Sequence, residues 1–118
     1  MITYQQLSKR NQRRIDRAYK AFAAQQPCIV SQASPVHLHH YRSQKFNQFG
    51  FPVGMGLKPP DILILPLAPT LHNQGKASIH ALGNERFEAM HGVNLDQCLG
   101  QLHDLFWQRI RTISALKS

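Results

Sequence analysis

The sequence predicts a small α+β fold, on three observations. Helical periodicity runs through both ends of the chain. Between them lie short β-type apolar runs. Glycine and proline punctuation then separates every element from the next. At 118 residues the length suits one domain, which would bury roughly two-thirds of its unfolded surface. No apolar run is long enough to span a membrane, and the N-terminus carries no apolar signal region. Cys28 and Cys98 are too few for a disulfide framework, so a reduced, cytoplasmic setting is expected.

The first element is a helix over residues 3–25, in which Ile15, Ala18, Tyr19 and Phe22 recur at the spacing of an apolar stripe. Arg10, Arg13, Arg14 and Arg17 repeat with the same spacing, well round the helix from the apolar face. Lys9 and Lys20 add to them, against the single acid Asp16. Pro27 closes the element. Over the whole chain fourteen Lys and Arg face six Asp and Glu, a net charge of +8. Such a balance points to a polyanionic partner, nucleic acid first, because each neutralised phosphate releases counterions.

Two short runs follow, "CIV" (28–30) and "VHLHH" (36–40), and they read as a hairpin. Residues 41–60 read as a long loop in which Arg42, Lys45 and Lys58 interleave with Tyr41, Phe46, Phe49 and Phe51. Basic and aromatic side chains so mixed suit nucleic-acid contacts, with some of the aromatics serving as anchors. "DILILPLA" (61–68) reads as a buried strand. Helical pieces are expected at 76–82 and 85–91, broken by Gly75, Gly83 and Gly92. The last helix starts at an Asn94 cap and buries Leu95, Cys98, Leu99, Leu102, Phe106, Ile110 and Ile113.

The chemistry concentrates in "VHLHHYR" (36–42), which holds His37, His39 and His40 out of seven histidines in all. Neutral imidazole binds borderline metals, and its ordinary pKa suits proton abstraction near neutrality. Strand alternation sends His39 and His40 to opposite faces, so one site can use both only if the strand ends there. His37 shares the face of His39 and reads as a surface histidine or one bracing the site from behind. His91 and His103 fall in helix patterns and read as structural.

Three blocks in order, "PCIVSQASPVHLHHYR", "GMGLKPPDILILPLAPTLHN" and "IHALGNERFEAMHG", resemble phage and prophage HNH nucleases related to the recombination-enhancement nuclease Ref. The resemblance covers about residues 27–92. It implies a ββα-metal core of treble-clef-like build, flanked by a basic N-terminal helix (1–26) and an amphipathic C-terminal helix (93–118), all in one nuclease domain (1–118). It also implies that His39, His72 and His80 hold a divalent ion, Mg²⁺ or Mn²⁺ with Zn²⁺ a further candidate. His40 would be the general base, and Asp61 the residue that orients it. Sharing an ion between His72 and His80 requires the chain between them to leave the helix, since eight helical residues rise about 12 Å. Gly75 is the expected break, and Asn73 a substitute ligand. Relatives carry two C-x-x-C pairs for a structural zinc. Here those positions are Cys28 and Ser31, then Ala68 and Leu71, so no structural zinc is expected.

The implied activity is metal-dependent endonucleolytic hydrolysis of DNA in recombination or repair, single-stranded or recombinase-coated DNA included. Arg10, Arg13, Arg14, Arg17, Arg42, Lys45 and Lys58 would contact its backbone. An inactive nucleic-acid-binding protein on the same scaffold and an RNA-directed nuclease remain open alternatives, as does any protein partner.

Overall fold

Ser8 fixes where the first helix starts. The structure, a computed structural model, describes residues 7–41 and 61–117, and of residues 111–117 the backbone only. Ser8 is extended and its Oγ accepts the Asn11 N–H at 3.2 Å, so helix α1 spans Lys9–Ala24. The expected start at residue 3 is therefore too early for Leu7 and Ser8, while residues 3–6 lie outside the described part. Tyr19, Phe22 and Ala23 are buried and Ile15 is partly so, but Ala18 is exposed. Geometry explains the correction: Ala18 lies about 100° round the helix from Tyr19, Ala23 only about 40°.

Residues 28–36 correct the expected hairpin. "CIV" forms no strand: the chain turns, with Gln32 donating to the Cys28 carbonyl at 3.0 Å and Cys28 to the Ala33 carbonyl at 3.0 Å. Strand β1 (His37–His40) pairs instead, antiparallel, with strand β2 (Ile64–Leu67), setting His39 opposite Leu65 and His40 opposite Ile64. Only Ile29 reaches the sheet, donating to the Pro66 carbonyl at 3.1 Å. Pro66 has no N–H to offer, which a two-stranded ribbon tolerates because every strand is an edge.

"DILILPLA" is likewise not one strand. Asp61–Leu63 make a 3-10 turn before β2 begins, and residues 62–68 are all buried. Side chains from both long helices hold this turn. Ile62 donates to Asp16 Oδ1 at 3.2 Å, and its carbonyl accepts from His103 Nε2 at 2.6 Å. Tyr19 adds a hydroxyl bond to the Ile64 carbonyl at 2.8 Å. A buried peptide group left unbonded would cost about 1–3 kcal/mol, so these bonds fix where Asp61 sits.

Beyond β2, Pro69 opens a short helix α2 (Pro69–His72) that the local pattern does not predict, using the proline that a first helical turn favours. Residues 73–78 are not helical, and Gly75 there adopts φ 137°, a backbone that side-chain-bearing residues avoid. Helix α3 (Ile79–Leu82) is capped by Ser78 Oγ, and α4 (Asn84–His91) ends at the left-handed Gly92. α3 is shorter than the expected 76–82, beginning three residues later, whereas α4 matches the expected 85–91 to within one residue. Helix α5 (Leu95–Lys117) starts where Asn94 Oδ1 accepts the Gln97 N–H at 3.0 Å. It buries Leu95, Leu99, Leu102 and Phe106 against α1 and the sheet, with Cys98 and Ile110 packed at the margin. The side chain of Ile113 is outside the described part. Tyr19 meets Phe106 edge-on at 5.3 Å, joining the two long helices. The molecule is thus a mixed α+β fold with a small antiparallel sheet. Among the described residues no helix is long and apolar enough to cross a membrane.

Candidate metal centre

β1 and the two short helices after β2 bring His39, His72 and His80 together, with His37 beside His72. His39 projects from β1, His72 is the last residue of α2, and His80 is the second of α3. The non-helical link at 73–78 lets α3 fold back, so ring centroids of His72 and His80 lie 4.7 Å apart. His39 stands 5.2 Å from His72 and 5.4 Å from His80 by the same measure. One nitrogen from each of the three rings lies within 4.8 Å of the others, close enough to hold a metal ion. Between His72 Nε2 and His80 Nε2 the gap is 3.1 Å. Two imidazole nitrogens on one tetrahedral ion would stand about 3.3 Å apart, given bonds of about 2.0 Å. The donor set therefore fits an ion with small side-chain adjustment.

Electrostatics favour the ligating form. Burial, then the neighbouring His72, His80 and His40, pushes the His39 pKa down to about 4. Burial, then His80 and His37, also lowers His72. Both rings are neutral at pH 7, with a lone pair to give. His80 is exposed, so the cluster opens to solvent on that side.

His40 takes the other direction. Its Nε2 lies 2.7 Å from Asp61 Oδ1, with both side chains about 30% exposed. A neutral imidazole donating Nε2–H to that carboxylate keeps its lone pair on Nδ1. Asp61 thus fixes both ring orientation and tautomer, in a pair whose side chains are partly exposed.

His37 is the residue whose place the sequence left undecided. Its Nδ1 lies 3.2 Å from His72 Nδ1, on the side of His72 away from His80. Alternation with His39 on one strand was the available signal. His91 donates to the Ala77 carbonyl at 2.9 Å and His103 to Ile62; neither joins the three-nitrogen cluster. Asn73 follows α2 as its exposed C-cap residue.

Of the positions that a structural zinc would use, Cys28 alone carries a thiol. Its Sγ accepts the Ser31 N–H at 3.4 Å. Burial raises this thiol, but bonds from Ser31 and from the backbone at Ala68 and Val30 outweigh that and bring it below the ordinary value. Ala68 is buried and Leu71 packs on the core.

Lys9, Arg10, Arg13, Arg14, Arg17 and Lys20 are exposed along α1. Arg42, Lys45 and Lys58, with Phe46, Phe49 and Phe51, lie outside the described residues. Tyr41 is described, buried, and donates to Asp96 Oδ1 at 2.8 Å, which makes it an anchor. No known family, curated protein or solved structure matches this chain.

Proposed function

We propose that the chain is a metal-dependent endonuclease of the ββα-metal (HNH) type that hydrolyses phosphodiester bonds in DNA. One observation carries the reading: adjacent residues of one short strand supply His39 to a three-imidazole cluster and His40 to a carboxylate-oriented pair. A ligand set beside a braced general base is what hydrolysis by an activated water requires.

In this reading His40 Nδ1 takes a proton from the attacking water, and Asp61 stabilises the imidazolium that forms. The water oxygen bonds to phosphorus as the bond to the 3′ oxygen breaks. His39, His72 and His80 would hold the ion, which when bound polarises the phosphate and stabilises charge on the leaving oxygen. Three imidazoles without a carboxylate favour a borderline ion such as Zn²⁺; Mn²⁺ and Mg²⁺ both prefer oxygen ligands, and of the two Mn²⁺ takes imidazole more readily. The exposed cations of α1 would grip the phosphate backbone. The phage-type role in recombination or repair follows from the resemblance to the Ref-like proteins, and the reducing, cytoplasmic setting from the scarcity of cysteine.

That basic helix also favours a second reading, a nucleic-acid-binding protein without cleavage. Supercoiled plasmid and single-stranded DNA incubated with Mn²⁺ decide between them. The nuclease reading expects metal-dependent cutting that His40→Ala slows by about 10²–10⁴-fold, with DNA affinity and folding nearly unchanged. Cutting by His40→Ala at the wild-type rate removes His40 as the base. DNA retarded but never cut makes the chain a binder, and RNA cut in preference to DNA changes the substrate.

A further inference from the structure

We propose that His37 is a positioning residue: its Nδ1 accepts the hydrogen bond of His72 Nδ1–H and so turns the His72 Nε2 lone pair towards the cluster. The inference rests on the metal-centre reading and deepens it.

A neutral imidazole has one N–H and one lone pair, and His72 has a partner for each. Its Nδ1 lies 3.2 Å from His37 Nδ1, and its Nε2 lies 3.1 Å from His80 Nε2. Two proton placements satisfy these contacts. With the proton on Nε2, His72 would donate into the cluster and offer no electrons to an ion. With the proton on Nδ1, it donates to His37 and presents Nε2 to the ion. Only the second arrangement makes His72 a ligand. It requires His37 to accept at Nδ1, and hence to carry its own proton on Nε2.

His37 is well placed for this task. It stands opposite Leu67 in the sheet, two residues before His39 and on the same face of β1. β2, its sheet partner, is buried throughout, so the bracing ring is held on the sheet while the ring it braces is held at the end of α2. His37 does not itself belong to the three-nitrogen group, because His72 stands between them. Metal-bound histidines regularly give their other ring N–H to a carboxylate, a backbone carbonyl or water, the place His37 Nδ1 takes here, and losing that acceptor commonly costs about 10–100-fold in metal affinity.

The test has two readouts. Long-range ¹H–¹⁵N spectra of the ¹⁵N-histidine-labelled, metal-free protein read which nitrogen of His72 carries the proton. The expected result is Nδ1–H in the wild type and a shift towards Nε2–H in His37→Phe. Calorimetric titration with Zn²⁺ should show affinity falling about 10–100-fold in His37→Phe and recovering in His37→Asn, whose side-chain oxygen can accept. His72 found as Nε2–H in the wild type overturns the proposal, as does Zn²⁺ binding by His37→Phe at wild-type strength. A wild type that binds no Zn²⁺ removes the metal-centre reading instead, while the spectra still test the His37 contact. If His37→Phe fails to fold, the wild-type spectrum and the Zn²⁺ affinity of His37→Asn decide the matter.

Discussion

Neighbouring histidines on one strand serve different ends because the pleat turns successive side chains apart. His39 meets His72 and His80, whereas His40 meets Asp61. Replacing His39, His72 or His80 with alanine should lower metal affinity at least about 100-fold, since losing a ligand exceeds losing its support. Part of any lost activity should return at high Mn²⁺. Titration calorimetry on each variant checks this, and unchanged binding by His80→Ala would make Asn73 the better third ligand. His39 and His40 were legible in the sequence because imidazole is chemically distinctive and three crowd into residues 37–40, whereas His72 and His80 entered only through the resemblance to the HNH nucleases. His37's contact was not legible, because it depends on how α2 folds back over β1. Tyr41 illustrates the opposite limit. Its composition suits a nucleic-acid contact, but burial against Asp96 decides its role.

At the scale of elements, α1 carries two faces with separate tasks. Tyr19, Phe22 and Ala23 hold it to the core, and the arginines stay in water. Neutralising Arg10, Arg13, Arg14 and Arg17 together should weaken nucleic-acid binding for all sequences alike. Each lost phosphate contact should flatten the slope of log K against log salt by about 0.9 on duplex DNA. Affinity measured at several salt concentrations tests it, and a slope equal to wild type would move the DNA path to Arg42, Lys45 and Lys58. Both long helices were readable from periodicity, because a stripe of apolar side chains is a local signal. The sheet was not. β1 finds its partner across residues 41–63, and local alternation says nothing about so distant a pairing. "CIV" looks like a strand, yet the Cys28 carbonyl and thiol draw the following N–H groups into a turn.

For the molecule as a whole, burial of imidazoles sets how stability responds to acid. His39, His72 and His103 are all held below the ordinary value of 6.5, by burial first in each case. Below that value the unfolded chain binds protons that the folded chain does not, so stability falls as pH falls. For His39 the loss runs from about 6.5 down to about 4. Denaturant titration of the metal-free protein at pH 7 and pH 5 should give a lower unfolding free energy at pH 5; equal values would contradict the buried, neutral rings. The mixed α+β architecture was legible from the order of patterns. The convergence of β1, α2 and α3 was not, because it depends on the break at residues 73–78 and on the register of β1 with β2. That convergence is tested most directly by anomalous scattering from a crystal soaked in Mn²⁺. One peak bounded by His39, His72 and His80, with His40 and Asp61 beside it but unbound, is the predicted result. Manganese bound elsewhere with none at these three rings, or an ion held by His40 and Asp61, would contradict it.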